Sequence, residues 1–262
     1  MIAIDGRRGS GPAAIHRLGS IDSTNAEAVR RARDGMALPA WIIADEQTAG
    51  RGRSGRSWAS VMGNLYASYV VPLTAPAQAT AQLSLVAGVA VIDAIRDAAA
   101  PAAVPDLRLK WPNDVLLGDA KLSGILIEAT SIGTDRIAVI GIGVNVTGAP
   151  SGLGRAATHL NAFAPHVTRD LLLDRLVASL AIWLETWRDG AGFARVRDAW
   201  LERGLTVGEP LSVNTGAGQR HGTFAGLADS GALRLATSDG RIIDIDFGDV
   251  AIGAPTLIGA AS

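Results

Sequence analysis

The chain has 262 residues, no cysteine and a formal net charge of −1, with 48% apolar and 19% charged residues. These totals exclude a disulfide scaffold, a thiolate zinc site and a cysteine nucleophile, and the near-neutral balance argues against a general nucleic-acid binder. The length suits one large domain, or a large domain with a small one, around a substantial core. The opening MIAIDGRRGSGPAAIHRLGS lacks a continuous apolar stretch, so no signal peptide is read and a cytoplasmic protein is expected.

Residues 1–19 read as a short strand with a loose lead-in. DSTNAEAVRRARDG, 22–35, reads as a helix in which Thr24 and Glu27 have capping-box spacing and Gly35 makes a suitable stop. WIIADEQ, 41–47, is a buried strand. A Gly/Arg-rich loop follows, and NLYASYVV, 64–71, returns as a strand. A helix is expected over 77–99. Its most apolar window, LSLVAGVAVIDAI (83–95), is interrupted by Ser84 and Asp93. That window is too short to span a bilayer and is expected to be a core helix, with no membrane association.

LRLKW (107–111), DVLLG (114–118) and KLSGILIEA (121–129) are strands, with Gly118 and Asp119 at a hairpin turn between the last two. RIAVIGIGVNV, 136–146, is another strand, and a Gly/Pro/Ser-rich loop covers 148–154. In RDLLLDRLVASLAIWLETW the residues Leu172, Leu176, Leu180, Trp183, Leu184 and Trp187 recur at three- and four-residue steps, the pattern of an amphipathic helix. A further helix is expected over 192–203. Beyond Gly204 the chain turns to short alternating strands about ten residues apart, the spacing of a small β-barrel. The expected architecture is therefore α+β, with a mixed-sheet domain over 1–205 and a small barrel over 206–262.

GRGRSGRSW, 50–58, places three arginines among three glycines in an otherwise balanced chain. Taken alone it admits three readings: a solvated basic loop, an Arg/Gly nucleic-acid segment, or a loop folding over an anionic small molecule. Glycines let backbone N–H groups turn toward an anion, and arginines offer paired donors to carboxylate or phosphate. It is not a P-loop, because no Gly-Lys-Ser/Thr follows. KWPNDVLL, 110–117, sets Lys110, Asn113 and Asp114 around Pro112. KLSGILIE starts with Lys121 and carries Gly124 inside a strand, where glycine often marks close approach of a ligand or backbone. GIGVNV adds two glycines and Asn145. Each stretch is weak alone, and their joint occurrence in this order is informative.

The set DSTN, EQTAGRGRSGRSW, KWPNDVLL, KLSGILIE and GIGVNV resembles the biotin protein ligases, closely over 20–146 and in general pattern over 147–205. The tail resembles that family's SH3-like C-terminal barrel. The resemblance implies a catalytic fold related to class II aminoacyl-tRNA synthetases. It also implies a two-step reaction. Biotin's carboxylate attacks the α-phosphate of ATP, bound with Mg²⁺, giving biotinyl-5′-AMP. A lysine of a biotin carboxyl carrier protein then takes the biotinyl group.

The resemblance further assigns residues. Ser23, Thr24, Asn25 and Gln47 fall at biotin contacts. Gly50, Arg51, Gly52 and Arg53 form the loop over biotin and the adenylate, with Gly124 on the biotin side. Arg53, Arg56, Trp58, Asn113, Asp114 and Asn145 fall on the ATP side. Lys121 contacts the reacting carboxylate and α-phosphate, and with Arg53 makes the catalytic pair. No dedicated metal ligands are assigned. Some members carry an N-terminal DNA-binding domain; the 22 residues before Ser23 are too few for one, so a ligase without specific DNA binding is expected, as monomer or homodimer. The rival readings are a lipoate–protein ligase and a non-catalytic RNA-binding module.

Overall fold

The computed structural model describes residues 13–151 and 156–253. The expected lead-in before residue 13, part of the Gly/Pro/Ser loop and the last nine residues lie outside that range. The larger sheet has seven strands: β1 (Ala14–Ile21), β2 (Ala40–Gln47), β3 (Leu65–Pro72), β4 (Leu107–Lys110), β5 (Asp114–Leu117), β6 (Ala120–Ile132) and β7 (Asp135–Val144). Their spatial order is β1-β2-β3-β7-β6-β5-β4. Only β1 and β2 run parallel, which makes the sheet mixed. The β5–β6 hairpin closes through Gly118 and Asp119 as expected, with Leu117 opposite Ala120 and Gly118 at φ +60°, a conformation glycine adopts without a Cβ penalty.

Side chains alternate across each strand, so the sheet has two different faces. One is covered by α2 (Gln82–Ala99), α3 (Arg169–Trp187) and α4 (Phe193–Arg203), which share one continuous core with it. A 3-10 turn over Ala77–Ala81 leads into α2. Residues Ala79–Ala99 are thus 21 residues of helix, long and apolar enough to cross a membrane. The expectation from the 83–95 window underestimated this length. Most of the segment is nonetheless buried, because α2 lies between the sheet and α3.

The other face is only partly covered. The helix α1 (Thr24–Arg33) lays Ala28 and Ala32 on Ile42, Val70, Ile137 and Val139, one corner of the sheet. Continuing along the same strands by steps of two gives Ser68 in β3, Gly141 and Gly143 in β7, and Gly124 in β6. That polar and glycine-rich floor is left for something other than an apolar helix.

The N-terminus of α1 differs from the expected capping box. The cap residue is Ser23, with extended backbone and no side-chain capping bond. Thr24 donates instead to Gln47 Oε1 at 3.1 Å and accepts from Ser68 at 2.7 Å, while Glu27 receives Arg30 and Arg31. Tertiary partners outcompete the local cap.

The second unit is a five-stranded antiparallel sheet: β8 (Pro210–Thr215), β9 (Gly218–Leu227), β10 (Leu233–Ala236), β11 (Ile242–Ile245) and β12 (Asp249–Ile252), in the order β11-β10-β9-β8-β12. This is the strand order of an SH3-like barrel. It packs on the first unit through Trp200 against Phe224, whose ring centroids are 6.2 Å apart, and through the indole of Trp111 donating to the carbonyl of Gly231 at 3.1 Å.

Candidate active site

A cavity of about 350 Å³ opens over the glycine floor. That is within the usual range for a small-molecule site. It gathers Ser23, Thr24, Asn25, Gln47, Arg51, Gly52, Arg53, Arg56, Trp58, Asn113, Asp114, Lys121 and Gly124 from the expected set. Two expected residues are not on its wall. Gly50 sits beneath the loop, where an added Cβ would lie 2.5 Å from the carbonyl oxygen of Trp58. Asn145 faces a small neighbouring pocket that it shares with Trp58, Lys121, Pro150 and Ala157.

One end is a network of neutral polar groups. Gln47 Oε1 accepts from both the amide and the hydroxyl of Thr24, at 2.8 and 3.1 Å. The Ser68 hydroxyl lies 2.7 Å from Thr24 Oγ1 and 2.6 Å from Asn25 Oδ1, with one proton to share between them, and Asn25 Nδ2 donates to Glu128 at 2.7 Å. The glycines make this possible. A Cβ on Gly141 would lie 2.3 Å from Asn25 Oδ1, and one on Gly143 would lie 2.7 Å from the Trp58 ring. Asp22 anchors the segment from outside. It accepts from the Ser23 amide at 2.8 Å and takes both arms of Arg30, which holds its carboxyl down at about 2.

The other end is charged. The loop from Gly50 to Trp58 closes on itself: the Trp58 amide donates to Gly50 at 2.9 Å, and the Gly52 amide to Arg56 at 2.7 Å. Ser54 and Gly55 form the tip, with φ of 56° and 73°. Arg51 pairs with Glu128 at 3.1 Å. Arg53 donates to Asn113 Oδ1 at 3.3 Å and stacks over Phe247, 4.8 Å from the ring centroid. Burial lowers the Arg53 pKa below the ordinary guanidinium range, against the opposing pull of Asp249 and Asp114. A further anion in the cavity would therefore relieve a desolvation cost. Lys121 is buried, ion-paired with Asp114, and lies over the Trp58 ring at 5.4 Å from the centroid. In all, the wall carries Arg51, Arg53, Arg56, Lys110 and Lys121 against only Asp114 and Asp249.

Several wall and support residues carry no motif. Asp249, Val250 and Ala251 come from the second unit. Ser68 and Glu128 hold the polar end. Ser68 was detectable as the one serine in an otherwise aliphatic and aromatic strand; the others had no local signal.

A neutral polar end joined to a cationic end suits a ligand with an uncharged head and an anionic tail beside a polyphosphate. Comparison with known proteins bears on which. Residues 20–145 match the model of the biotin/lipoate A/B protein ligase family, and residues 206–253 match the biotin protein ligase C-terminal domain. Over 234 residues the chain is 43% identical to the biotin–[acetyl-CoA-carboxylase] ligase of Paracoccus denitrificans, covering 86% of this chain and 95% of that one. The chain belongs to the biotin protein ligases. This ligase is also 34% identical over 222 residues to the bifunctional ligase/repressor BirA of Bacillus subtilis, an alignment that covers 81% of this chain and 66% of BirA. Among solved structures, the Aquifex aeolicus biotin protein ligase in complex with biotin and ATP superposes with a TM-score of 0.76 at 27% identity, covering 92% of this chain and 99% of that one.

Proposed function

We propose that this ligase activates biotin with ATP to biotinyl-5′-AMP in the cavity and transfers the biotinyl group to a lysine of a biotin carboxyl carrier protein. The observation that carries this reading is the two-ended cavity, with neutral donors and acceptors at one end and a cluster of cations at the other. A ureido head group needs hydrogen bonds without charge, which Ser23, Thr24, Asn25 and Gln47 offer. The apolar ring and chain lie along the glycine floor and Leu126, toward Lys121.

The first step brings a carboxylate to a triphosphate. Two unit charges 4 Å apart repel by about 4 kcal/mol at an effective dielectric of 20, so the site must supply compensating cations. Lys121 sits between the polar end and Asp114, where its ammonium can contact both the attacking carboxylate and the α-phosphate. Arg51 and Arg53 cover the anhydride and exclude water, which would otherwise hydrolyse it. Arg56, Asn113 and Trp58 flank the nucleotide, and Asn145 supports that side from the neighbouring pocket. Mg²⁺ would enter with ATP, and Asp114, a carboxylate of the cavity wall, would be a group to hold it there. Among the described residues no group of three His, Asp or Glu gathers to hold a metal independently.

The two units divide near residue 205, in the connection between α4 and β8, and the second completes the nucleotide side of the cavity. Incubation of the full chain with MgATP, labelled biotin and a carrier domain tests the reading. Label on the carrier lysine, dependent on ATP, is expected. Transfer of lipoate in preference to biotin would overturn it, as would stabilisation by RNA and not by biotin with MgATP. Cytoplasmic location, the absence of specific DNA binding and a monomeric or homodimeric state remain part of this proposal.

A further inference from the structure

Residues 247–249 of the second unit grip the arginine loop of the first. They span the end of the connection between β11 and β12 and the first residue of β12. Asp249 takes the Arg56 guanidinium through both carboxylate oxygens, at 2.6 and 2.7 Å. Gly248 is buried against β8, where an added Cβ would lie 2.8 Å from Val213 Cγ1 and 3.0 Å from the Asn214 carbonyl oxygen. That close approach pins the residue before it. Phe247 is 61% exposed, an unusual position for a large apolar ring, and its ring centroid lies 4.8 Å from Arg53 Cζ.

The three arginines of the loop are thus held in different ways. Arg51 and Arg56 each face a carboxylate, Glu128 and Asp249. Arg53 faces a ring. Its hydrogen bonds to Asn113 Oδ1 and the Gly248 carbonyl, at 3.3 and 3.4 Å, are longer than the usual N–H···O range and do not fix the plane of the guanidinium. A cation within about 6 Å of an aromatic centroid is attracted to it, more strongly as water is removed, and the ring at 4.8 Å is well inside that reach. A carboxylate partner competes with an incoming anion for the same N–H groups. A ring takes the face of the guanidinium and leaves its N–H edges for a ligand's oxygens.

We propose that Phe247 is a positioning residue of the ligase, whose ring keeps the Arg53 guanidinium over the anhydride and so sets how long biotinyl-5′-AMP is held in the cavity. The inference rests on the ligase reading above. The second unit then does more than wall the nucleotide end: through one side chain it governs retention of the intermediate. Leucine at this position would keep apolar bulk and lose the π face, whereas tyrosine would keep the face. Because Phe247 is exposed, both changes should leave the fold intact.

The test uses the full-length protein with biotin and MgATP and no carrier. Each adenylate that leaves the cavity frees the site for another round, so pyrophosphate should appear as a burst stoichiometric with enzyme and then in a slow phase that reports release. Phe247→Leu should keep the burst and speed the slow phase about five- to thirtyfold, the range of a partly to fully desolvated cation–π contact. Phe247→Tyr should stay within about twofold of wild type, since its ring presents a similar face. The KM for biotin should be unchanged in both, because the polar end is not touched. An unchanged slow phase in Phe247→Leu would overturn the proposal, as would equal acceleration by Leu and Tyr, since the π face would then have no part in retention. A slow phase that speeds only together with a matching rise in the KM for biotin would also overturn it, by placing the effect on the whole cavity. Absence of any biotin-dependent pyrophosphate release by the wild-type protein would remove the ligase reading itself, and this inference with it.

Discussion

The polar end of the cavity and its arginine roof solve opposite problems on the same face of one sheet. At the polar end, Ser23, Thr24, Asn25 and Ser68 are buried, and the last three share one hydrogen-bond network. In the roof, Arg51 and Arg56 are 48% and 47% exposed and paired with Glu128 and Asp249. Exposed pairs of this kind contribute only about 0–1 kcal/mol, so they are easily exchanged for a ligand's oxygens. Under the proposed function, a neutral head group would be met by fixed geometry and a charged tail by replaceable partners. Changes to the floor should therefore be read in biotin affinity, and changes to the roof in nucleotide handling.

The largest effect is expected from removing the roof's support altogether. A chain ending near Gly204 loses Asp249, Val250, Ala251 and the Phe247 ring under Arg53, as well as the Gly231 carbonyl that holds Trp111. Adenylation by that chain should fall below detection, measured as pyrophosphate release; full activity would show the second unit to be independent. Next comes Lys121→Ala. Loss of one preorganised donor to a developing charge costs about 3 kcal/mol, roughly a hundredfold or more in rate. The first half-reaction should slow by that amount in a protein whose circular dichroism is unchanged, and a rate within threefold of wild type would take Lys121 off the catalytic list.

Gly141→Ala sharpens the floor side of the comparison. Its Cβ would meet Asn25 Oδ1 at 2.3 Å, so Asn25 must leave its place. The KM for biotin should rise about tenfold, comparable to losing a buried hydrogen bond, while the KM for MgATP stays nearly constant. An equal rise in both would show that floor and roof are not separable. The roof makes a milder prediction. Biotinyl-AMP should protect the segment from Gly50 to Trp58 against proteolysis, because a glycine-rich loop loses much conformational freedom when ordered and bound ligand offsets that cost.

The smallest effect concerns Asp22, behind the polar end. Its carboxyl titrates at about 2, below the ordinary 3.8, chiefly because of the hydrogen bond from Arg30. A depressed carboxylate stabilises the fold above the ordinary value and loses that contribution as pH falls through about 2. The Asp22→Asn protein should thus lack part of the wild type's loss of stability between about pH 4 and pH 2. At neutral pH its biotin affinity should drop by no more than about threefold, since the pair is half exposed. Thermal unfolding across that pH range and biotin titration measure the two.

Much of this site could be read from the sequence because its chemistry is clustered in short stretches. The loop from Gly50 to Trp58 and the run from Lys110 to Asp114 each carry several wall residues on a few consecutive positions. The strands and the β5–β6 hairpin were legible for a similar reason, since Gly118 and alternating apolar residues act locally. What escaped depends on register and distance. Ser68 and Glu128 reach the site only because β3, β7 and β6 are aligned to face Asn25. Asp249 meets Arg56 across 193 positions of chain, in a segment without any motif. The capping box of Thr24 and Glu27 failed because spacing shows that a local bond is available and not that a distant partner takes the same hydroxyl.

That separation of 193 positions between Arg56 and Asp249 also sets an order of events during synthesis. At about 5–20 residues per second, roughly 10 to 40 s pass between translation of the loop and translation of its counter-charge. A growing chain on the ribosome contains the biotin end early and the nucleotide end only when β12 has been made. If the nucleotide end needs its β12 wall, competence to make the reactive adenylate would follow synthesis of β12 and not of the loop alone.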